Sequence, residues 1–468
     1  MNTKIKIILC FVPFLVFGCN IKKNATAEDL EQIGVKFYMS KPDKTVLFGK
    51  QTEGVLQWQQ NDFATIEIDS TTKFQAMDGF GFTLTGGSAM HLANMQAEKR
   101  SALLKELFDF SGENIGISYL RLSLGASDLD ANVFSYCDEK DPSLSKFSIA
   151  KDKEFLIPIL KEILAINADI KLLASPWSPP VWMKTNGSSI GGSLKPEFYA
   201  TYANYFVKYI RAMKAEGIVI DAITVQNEPL HPGNNPSLLM PANEQAAFVK
   251  KNLGPLFELE KIKTKIIIYD HNADKPEYPI TILDDAEAKK YIDGSAFHLY
   301  GGEINALSLV HKAHPDKNLY FTEQWIGAPG DFANDLKWHI NQLVIGASRN
   351  WCKTVLEWNL AANKELQPHT DDGCTECLGA LTIDGDAVVR NPAYYIIAHA
   401  SKFVRPQSVR IESSLPDDLQ NVAFKTPEGK IVLIVINNSK GDKSFNIKQG
   451  EKIFTSTLVS GAVGTYVF

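Results

Sequence analysis

The chain has 468 residues, 45% of them hydrophobic and 22% charged, with a formal net charge of −6. Such a length accommodates one large domain and a small one, and the composition excludes a fibrous or disordered chain. A net negative charge argues against nucleic acid as a partner, since a polyanion is gripped by basic faces; an uncharged substrate suits it.

Lys4 and Lys6 precede an apolar run over 7–17, too short for a mature membrane span but of the length of an export signal. Gly18-Cys19 follows and resembles a bacterial lipoprotein processing site, with Cys19 as the lipidated residue. Plain secretion is the alternative, because Val16 and Phe17 fit that pattern loosely. Residues 1–19 are read as a lipoprotein signal peptide and 20–45, rich in Lys, Asn and Asp, as a tether ending in an ordering segment. The expectation is an exported bacterial lipoprotein, periplasmic or at the cell surface, held to the outer membrane only by its lipid.

Residues 46–78 contain the alternating segments 54–59 and 64–69, the pattern of half-buried antiparallel strands. Residues 403–468 read alike, with strands predicted at 409–412, 419–426, 430–436 and 461–468. Turn signals such as Thr426-Pro-Glu-Gly429 and Asn437-Asn-Ser-Lys-Gly441 separate them. The two chain ends are assigned to one side β-sandwich.

Between them, over 79–402, strand and helix alternate. Strands are predicted at 80–84, 119–124, 170–174, 222–226, 265–269, 295–299, 319–322 and 354–357. Helical patterns include 96–110, 153–166, 197–216, 243–258 and 331–348. Parallel strands need helical crossovers, so the class is α/β and the fold a (β/α)8 TIM barrel, with a doubly wound open sheet as the competing architecture. The strand ends favour the barrel. Polar or aromatic groups follow nearly every strand, whereas an open sheet gathers its ligands near one switch point.

Two of those ends carry the chemistry. In Ala222-Ile-Thr-Val-Gln-Asn-Glu228-Pro229 a β-branched run ends in an amide and a carboxyl group, and Pro229 stops the strand. Leu319-Tyr-Phe-Thr-Glu323-Gln-Trp325 is built the same way. A pair of strand-terminal glutamates is what cleavage of a glycosidic bond requires. Glu228 is read as the acid/base and Glu323 as the nucleophile, with Arg121 placed to keep Glu323 ionised. A lone glutamate of this kind would be read equally well as half of a salt bridge.

Around the pair, Asn227 can bond a sugar hydroxyl or form the turn before Pro229, and Asp128 can bind hydroxyls or cap a loop. Trp177, Trp325 and Trp358 all lie just past strands, where an aromatic face suits a sugar ring, although a single tryptophan is more often core. His298 and Tyr300 end the sixth strand; Tyr300 can reach Glu323 or be a satisfied core phenol. Histidines there raise a metal-dependent hydrolase, with Asp128, Asp270, His271 and His298 as conceivable ligands. The chain lacks a His-Glu-x-x-His motif, so neither a metal nor any other cofactor is expected. Gly79-Phe-Gly81 lacks the full dinucleotide-binding spacing, and its glycines are read as sites of close backbone approach. Cys374-Thr-Glu-Cys377 fits a local disulfide, a redox pair, zinc or free thiols; the disulfide suits an exported protein best, and no catalytic role is assigned to it.

The chain resembles glycoside hydrolase family 30, from about residue 46 to its end. The resemblance rests on Gln75-x-x-x-Gly79-Phe-Gly81, Leu120-Arg-Leu-Ser-Leu-Gly-Ala-Ser-Asp128, Ser175-Pro-Trp-Ser-Pro-Pro-Val-Trp-Met-Lys-Thr-Asn186 and Val225-Gln-Asn-Glu-Pro229. His298-x-Tyr300, Phe321-Thr-Glu323 and Glu357-Trp-Asn-Leu360 add to it. It implies a barrel with a sandwich from both chain ends, retaining double displacement by Glu228 and Glu323, and a sugar pocket lined by Asp128, Trp177, Asn227 and Trp358. The stretch from Pro368 to Cys377 is similar to that of β-1,6-glucanases and bacterial glucosylceramidase-like members. The expected substrate is β-glucan, first of all β-1,6-linked, acted on by a monomer. Glucosylceramidase-like, exo-β-glucosidase or xylanase activity are alternatives within the family, and a non-catalytic carbohydrate-binding lipoprotein is the alternative outside it.

Overall fold

The computed structural model describes residues 33–468; the expected signal peptide and Cys19 lie outside the described residues. Eight parallel strands close into a barrel: β1 (Gly79–Leu84), β2 (Tyr119–Ser123), β3 (Lys171–Ser175), β4 (Ala222–Thr224), β5 (Lys265–Asn272), β6 (Ile292–His298), β7 (Asn318–Glu323) and β8 (Cys352–Asn359). Each strand pairs with its neighbours in sequence, and β8 pairs with β1 to complete the ring. Gly81 permits the close contact of β1 with β2: a Cβ there would lie 1.9 Å from the Tyr119 carbonyl oxygen.

Helices pack outside the ring, and the long ones recover the predicted periodicity: Ala97–Phe108, Leu156–Ile166 and Tyr199–Ala215 each bury one apolar face. Two others widen into π-helical turns, Val249–Leu253 and Ile340–Ala347. Among the described residues no helix is long and apolar enough to cross a membrane.

The side domain is a single sheet folded back on itself. Its long strand Ala64–Ala76 pairs antiparallel with Val409–Ser413 and parallel with Lys443–Gln449. Gln57 and Ile453 exchange two backbone hydrogen bonds of 3.0 and 2.8 Å, linking the sheet's far ends. The strand Ile431–Asn437 explains its own composition, because both of its faces are buried. Ile431, Leu433 and Val435 enter the sandwich core, while Val432, Ile434 and Ile436 enter the barrel core.

Two expectations need correction here. The tether reading of 20–45 fails from residue 33 onward: Ile33–Ser40 is a strand, paired with Val463–Val467 at the other chain end. Val35 and Met39 are buried in the sandwich core with Phe37 beside them, an alternation that was a strand signal overlooked beneath the polar composition. The hairpin Lys443–Gln449 and Lys452–Leu458 was also missed, because its lysines and glutamine mask the inward Phe445 and Ile447.

Candidate active site

Alternation along the barrel strands sorts their side chains into tiers. The lowest tier is apolar, a cluster of Tyr119, Leu173, Ala222, Ile267, Ala296, Tyr320 and Leu356. Two residues further on, the interior turns polar, with Arg121, Ser175, Thr224, His298 and Thr322 all buried. Asp270 joins them because β5 breaks its alternation. Tyr269 and Asp270 have φ of 72° and 68°, and the pairing of β5 with β6 slips between Ala296 and Phe297. A left-handed backbone at such residues stores strain and clusters at functional sites.

Arg121 is the hub of this tier. A buried guanidinium is tolerated only when its donors are met by well-placed acceptors. Its Nη1 donates to Glu323 Oε2 at 2.5 Å, Nη2 to Asn227 Oδ1 at 2.6 Å and Asp270 Oδ2 at 2.8 Å, and Nε to Ser175 Oγ at 3.0 Å. Its plane lies 4.7 Å from the Trp177 ring and 5.7 Å from that of Trp358. Asp270 is braced further by Thr322 Oγ1, which donates at 2.7 Å, and by His298 Nε2 at 3.3 Å. Burial pushes the Asp270 carboxyl up, but Arg121, His298 and Thr322 together hold it far below the usual carboxylate range.

The two glutamates converge above this tier. One carboxyl oxygen of each and a ring nitrogen of His298 lie within 4.8 Å of one another, the only such triple of candidate ligand groups among the described residues. Glu228 has φ 46°, a left-handed turn just before Pro229. His298 Nδ1 sits 3.1 Å from Glu228 Oε1 and 3.8 Å from Glu323 Oε1, and the Tyr300 hydroxyl donates to Glu323 Oε1 at 2.9 Å. The set Asp128, Asp270, His271 and His298, conceivable as metal ligands from sequence, does not form such a group. A cation at the triple would face the Arg121 guanidinium and would require His298 to lose its proton.

That proton is firmly held. Burial pulls the His298 imidazole down, but the Glu323 charge and its bonds to Asp270 and Glu228 push it up to about 9. Burial raises Glu228 as well; the facing His298 imidazolium, with His271 and His231 behind it, brings it below its ordinary value. Contrary to the expectation that Arg121 keeps Glu323 ionised, Glu323 stays above its ordinary value, because burial and the Glu228 charge outweigh His298 and Arg121. The two glutamates and His298 therefore titrate as one unit, with the His298 proton held on the imidazole and donated to Glu228 in their hydrogen bond. Asp128 is raised to about 7, by burial first and then by the two glutamate charges.

Above the glutamates a cavity of about 440 Å³ opens, walled by Asp128, Trp177, Tyr300, Trp325 and Trp358. The rings of Trp177 and Trp358 adjoin, tilted by 31° with centroids 5.4 Å apart. Asn227 lies deeper: with its Oδ1 bound to Arg121, its Nδ2 has no protein partner among the described residues and is left to donate to a ligand. Every predicted site residue from Asp128 to Trp358 is thus in this wall or directly beneath it.

Sequence reasoning overlooked parts of the site. His231 and Asn234 line the cavity from the loop after β4, where nothing in the composition singles them out. Asp270 had been weighed only as a metal ligand. The expected Cys374–Cys377 disulfide forms, and both cysteines, to which no catalytic role was assigned, line the cavity. They pack against Trp177, Trp325 and Trp358, and the Cys374 amide is near enough to the Asp128 carboxyl to lower it slightly.

Residues 77–404 match the glycosyl hydrolase family 30 TIM-barrel domain, and residues 407–466 match that family's beta sandwich domain. The chain belongs to glycosyl hydrolase family 30. It is an O-glycosyl hydrolase. Among its relatives, an endo-1,6-beta-D-glucanase of Neurospora crassa is 31% identical over 428 residues, covering 86% of this chain and 87% of the relative. The lysosomal acid glucosylceramidase of Mus musculus is 30% identical over 434 residues, covering 86% and 83%. In solved structures, the endo-beta1,6-glucanase BT3312 superposes with a TM-score of 0.87 at 36% identity, covering 92% of this chain and 98% of that one.

Proposed function

We propose that this family 30 hydrolase is a retaining endo-β-1,6-glucanase with Glu323 as nucleophile and Glu228 as acid/base. The observation that carries the mechanism is the approach of the two carboxyl groups to within 4.8 Å. Retaining enzymes keep theirs about 5–5.5 Å apart, whereas inverting ones leave about 6.5–9.5 Å for a water molecule. Support for the linkage comes from the likeness to the Neurospora crassa and BT3312 glucanases.

In the first step a Glu323 oxygen, aligned by Arg121 and Tyr300, attacks the anomeric carbon. The glycosidic bond breaks, and Glu228 gives the leaving oxygen the proton it receives from His298. In the second step Glu228 takes a proton from water, which displaces Glu323 from the sugar with a second inversion. Asn227 Nδ2 and Asp128 bond hydroxyls of the bound sugar, and the adjoining Trp177 and Trp358 pack against its apolar face.

The test is a product profile on pustulan, laminarin, xylan, glucosylceramide and aryl β-glucosides. Release of β-1,6-linked oligosaccharides from pustulan with retained anomeric configuration is expected. Predominant cleavage of glucosylceramide, xylan or aryl glucoside alone would overturn the linkage. The sequence around Cys19 supports export and lipid anchoring as part of the same reading, with the enzyme acting as a monomer. Palmitate labelling that is unchanged by Cys19→Ala would remove the anchor.

A further inference from the structure

Away from the active site, a second cavity of about 760 Å³ lies between the helix that follows β7 and the side domain. It runs from Asn334 in the first turn of Phe332–His339, along the π-helical Ile340–Ala347, to Arg349 and Asn350. At about 1.5 Å per helical residue this is a groove on the order of 20 Å long. Its Asn334 end is on the side of the barrel where β7 delivers Glu323.

The lining has an unusual chemistry. Trp338 is 38% exposed, and its indole N–H has no protein partner among the described residues. The side chains of Gln342 and Gln420 are likewise unbonded, one on the helix and one on the facing sandwich strand. Asn341 and Asn438 bridge the two domains by reciprocal amide bonds of 3.0 and 2.9 Å, which fixes the groove's floor. No acidic residue lines it, and one of its two cations, Arg349, already donates to the Asn421 and Ser413 carbonyls. The wide π-helical turn brings Gln342, Ile345 and Gly346 into the lining together, a feature often found at functional sites.

We propose that this groove is a second saccharide-binding site, which holds a neutral glucan strand apart from the catalytic pocket. An amide offers a donor and an acceptor side by side, the pattern that adjacent sugar hydroxyls match, and the indole face suits the C–H face of a pyranose ring. A charged polymer would leave the amides mismatched and find, among the described residues, Lys337 as the one free cation lining the groove. The choice of glucan rests on the proposed function; the groove chemistry requires only a neutral polysaccharide.

The experiment blocks the active site and asks whether glucan still binds. Enzyme labelled covalently on Glu323 with a fluoro-sugar is run in native gels containing pustulan, laminarin, xylan or an anionic polysaccharide. Labelled wild type is expected to be retarded by pustulan, and labelled Trp338→Ala to lose at least about fivefold in apparent affinity. Gln342→Ala, a milder change, should lose affinity too and guards against misfolding of the first variant. Trp58→Ala is the control: Trp58 is 64% exposed on the side domain and lines none of these cavities. Unlabelled Trp338→Ala should lose activity on polymeric glucan but keep it on an aryl β-glucoside. Unretarded labelled enzyme, unchanged binding in both groove variants, or retardation by the anionic polymer alone would each overturn the proposal. Trp338-dependent binding of laminarin or xylan, together with cleavage of that same polymer, would keep the groove and overturn only the linkage.

Discussion

At the scale of single residues, the site is a small electrostatic network with Arg121 at its hub. Removing either glutamate should separate their roles. Glu323→Gln is expected to abolish turnover and leave no fluoro-sugar adduct by mass spectrometry. Glu228→Gln should cost about 10²–10⁴-fold on glucan, yet far less on an aryl glucoside whose leaving group needs no proton. The pH profile of kcat/KM follows from the same network. Glu323 is raised, so the nucleophile is lost as pH falls, beginning above the ordinary carboxylate range. The His298 proton is present below about 9 and lost above it, which sets the alkaline limb. His298→Asn should move that limb downward and, by removing the charge that lowers Glu323, move the acid limb upward, narrowing the profile; an unmoved alkaline limb would show that the His298 proton does not control catalysis.

Among the elements, the loop carrying the disulfide and the strand Ile431–Asn437 do most to hold the site in shape. The Cys374–Cys377 link forms part of the wall beside the tryptophans and holds the Cys374 amide toward the Asp128 carboxyl. Reduction, or Cys377→Ser, should raise KM with a smaller effect on kcat. Unchanged KM in fully reduced enzyme would contradict this. Ile434, buried at the junction of sandwich and barrel, belongs to the shared core. Ile434→Ala should lower the unfolding free energy by about 2–5 kcal/mol, read from denaturant melts, without displacing the pH limbs.

Over the whole molecule, barrel and side domain form one body. Val422, Phe424, Val432, Ile434 and Ile436 of the sandwich belong to the barrel's own core cluster. A fragment of residues 77–404 should therefore fail to give a soluble, cooperatively melting monomer. Removal of residues 1–32 should be tolerated. Removal of 1–45 deletes the strand Ile33–Ser40, uncovers the edge of Val463–Val467 and exposes the partners of Val35 and Tyr38. Each such side chain is worth about 1.5–3 kcal/mol when buried, so a clear fall in Tm is expected by calorimetry.

The sequence alone yielded the barrel, its eight strands and both glutamates. Those features rest on local signals: apolar runs of strand length, helical periodicity between them, and a proline that ends β4 beside its carboxyl group. Composition misled at Ile33–Ser40 and at the polar hairpin, where burial depends on partners hundreds of residues away. Only the tertiary structure decided that Asp270 turns inward, that His298 stands between the two glutamates and that a disulfide walls the pocket. A bulge resets the alternation from which side-chain direction is inferred, and the hold on the His298 proton depends on ångström separations between strands, quantities no single segment of chain encodes.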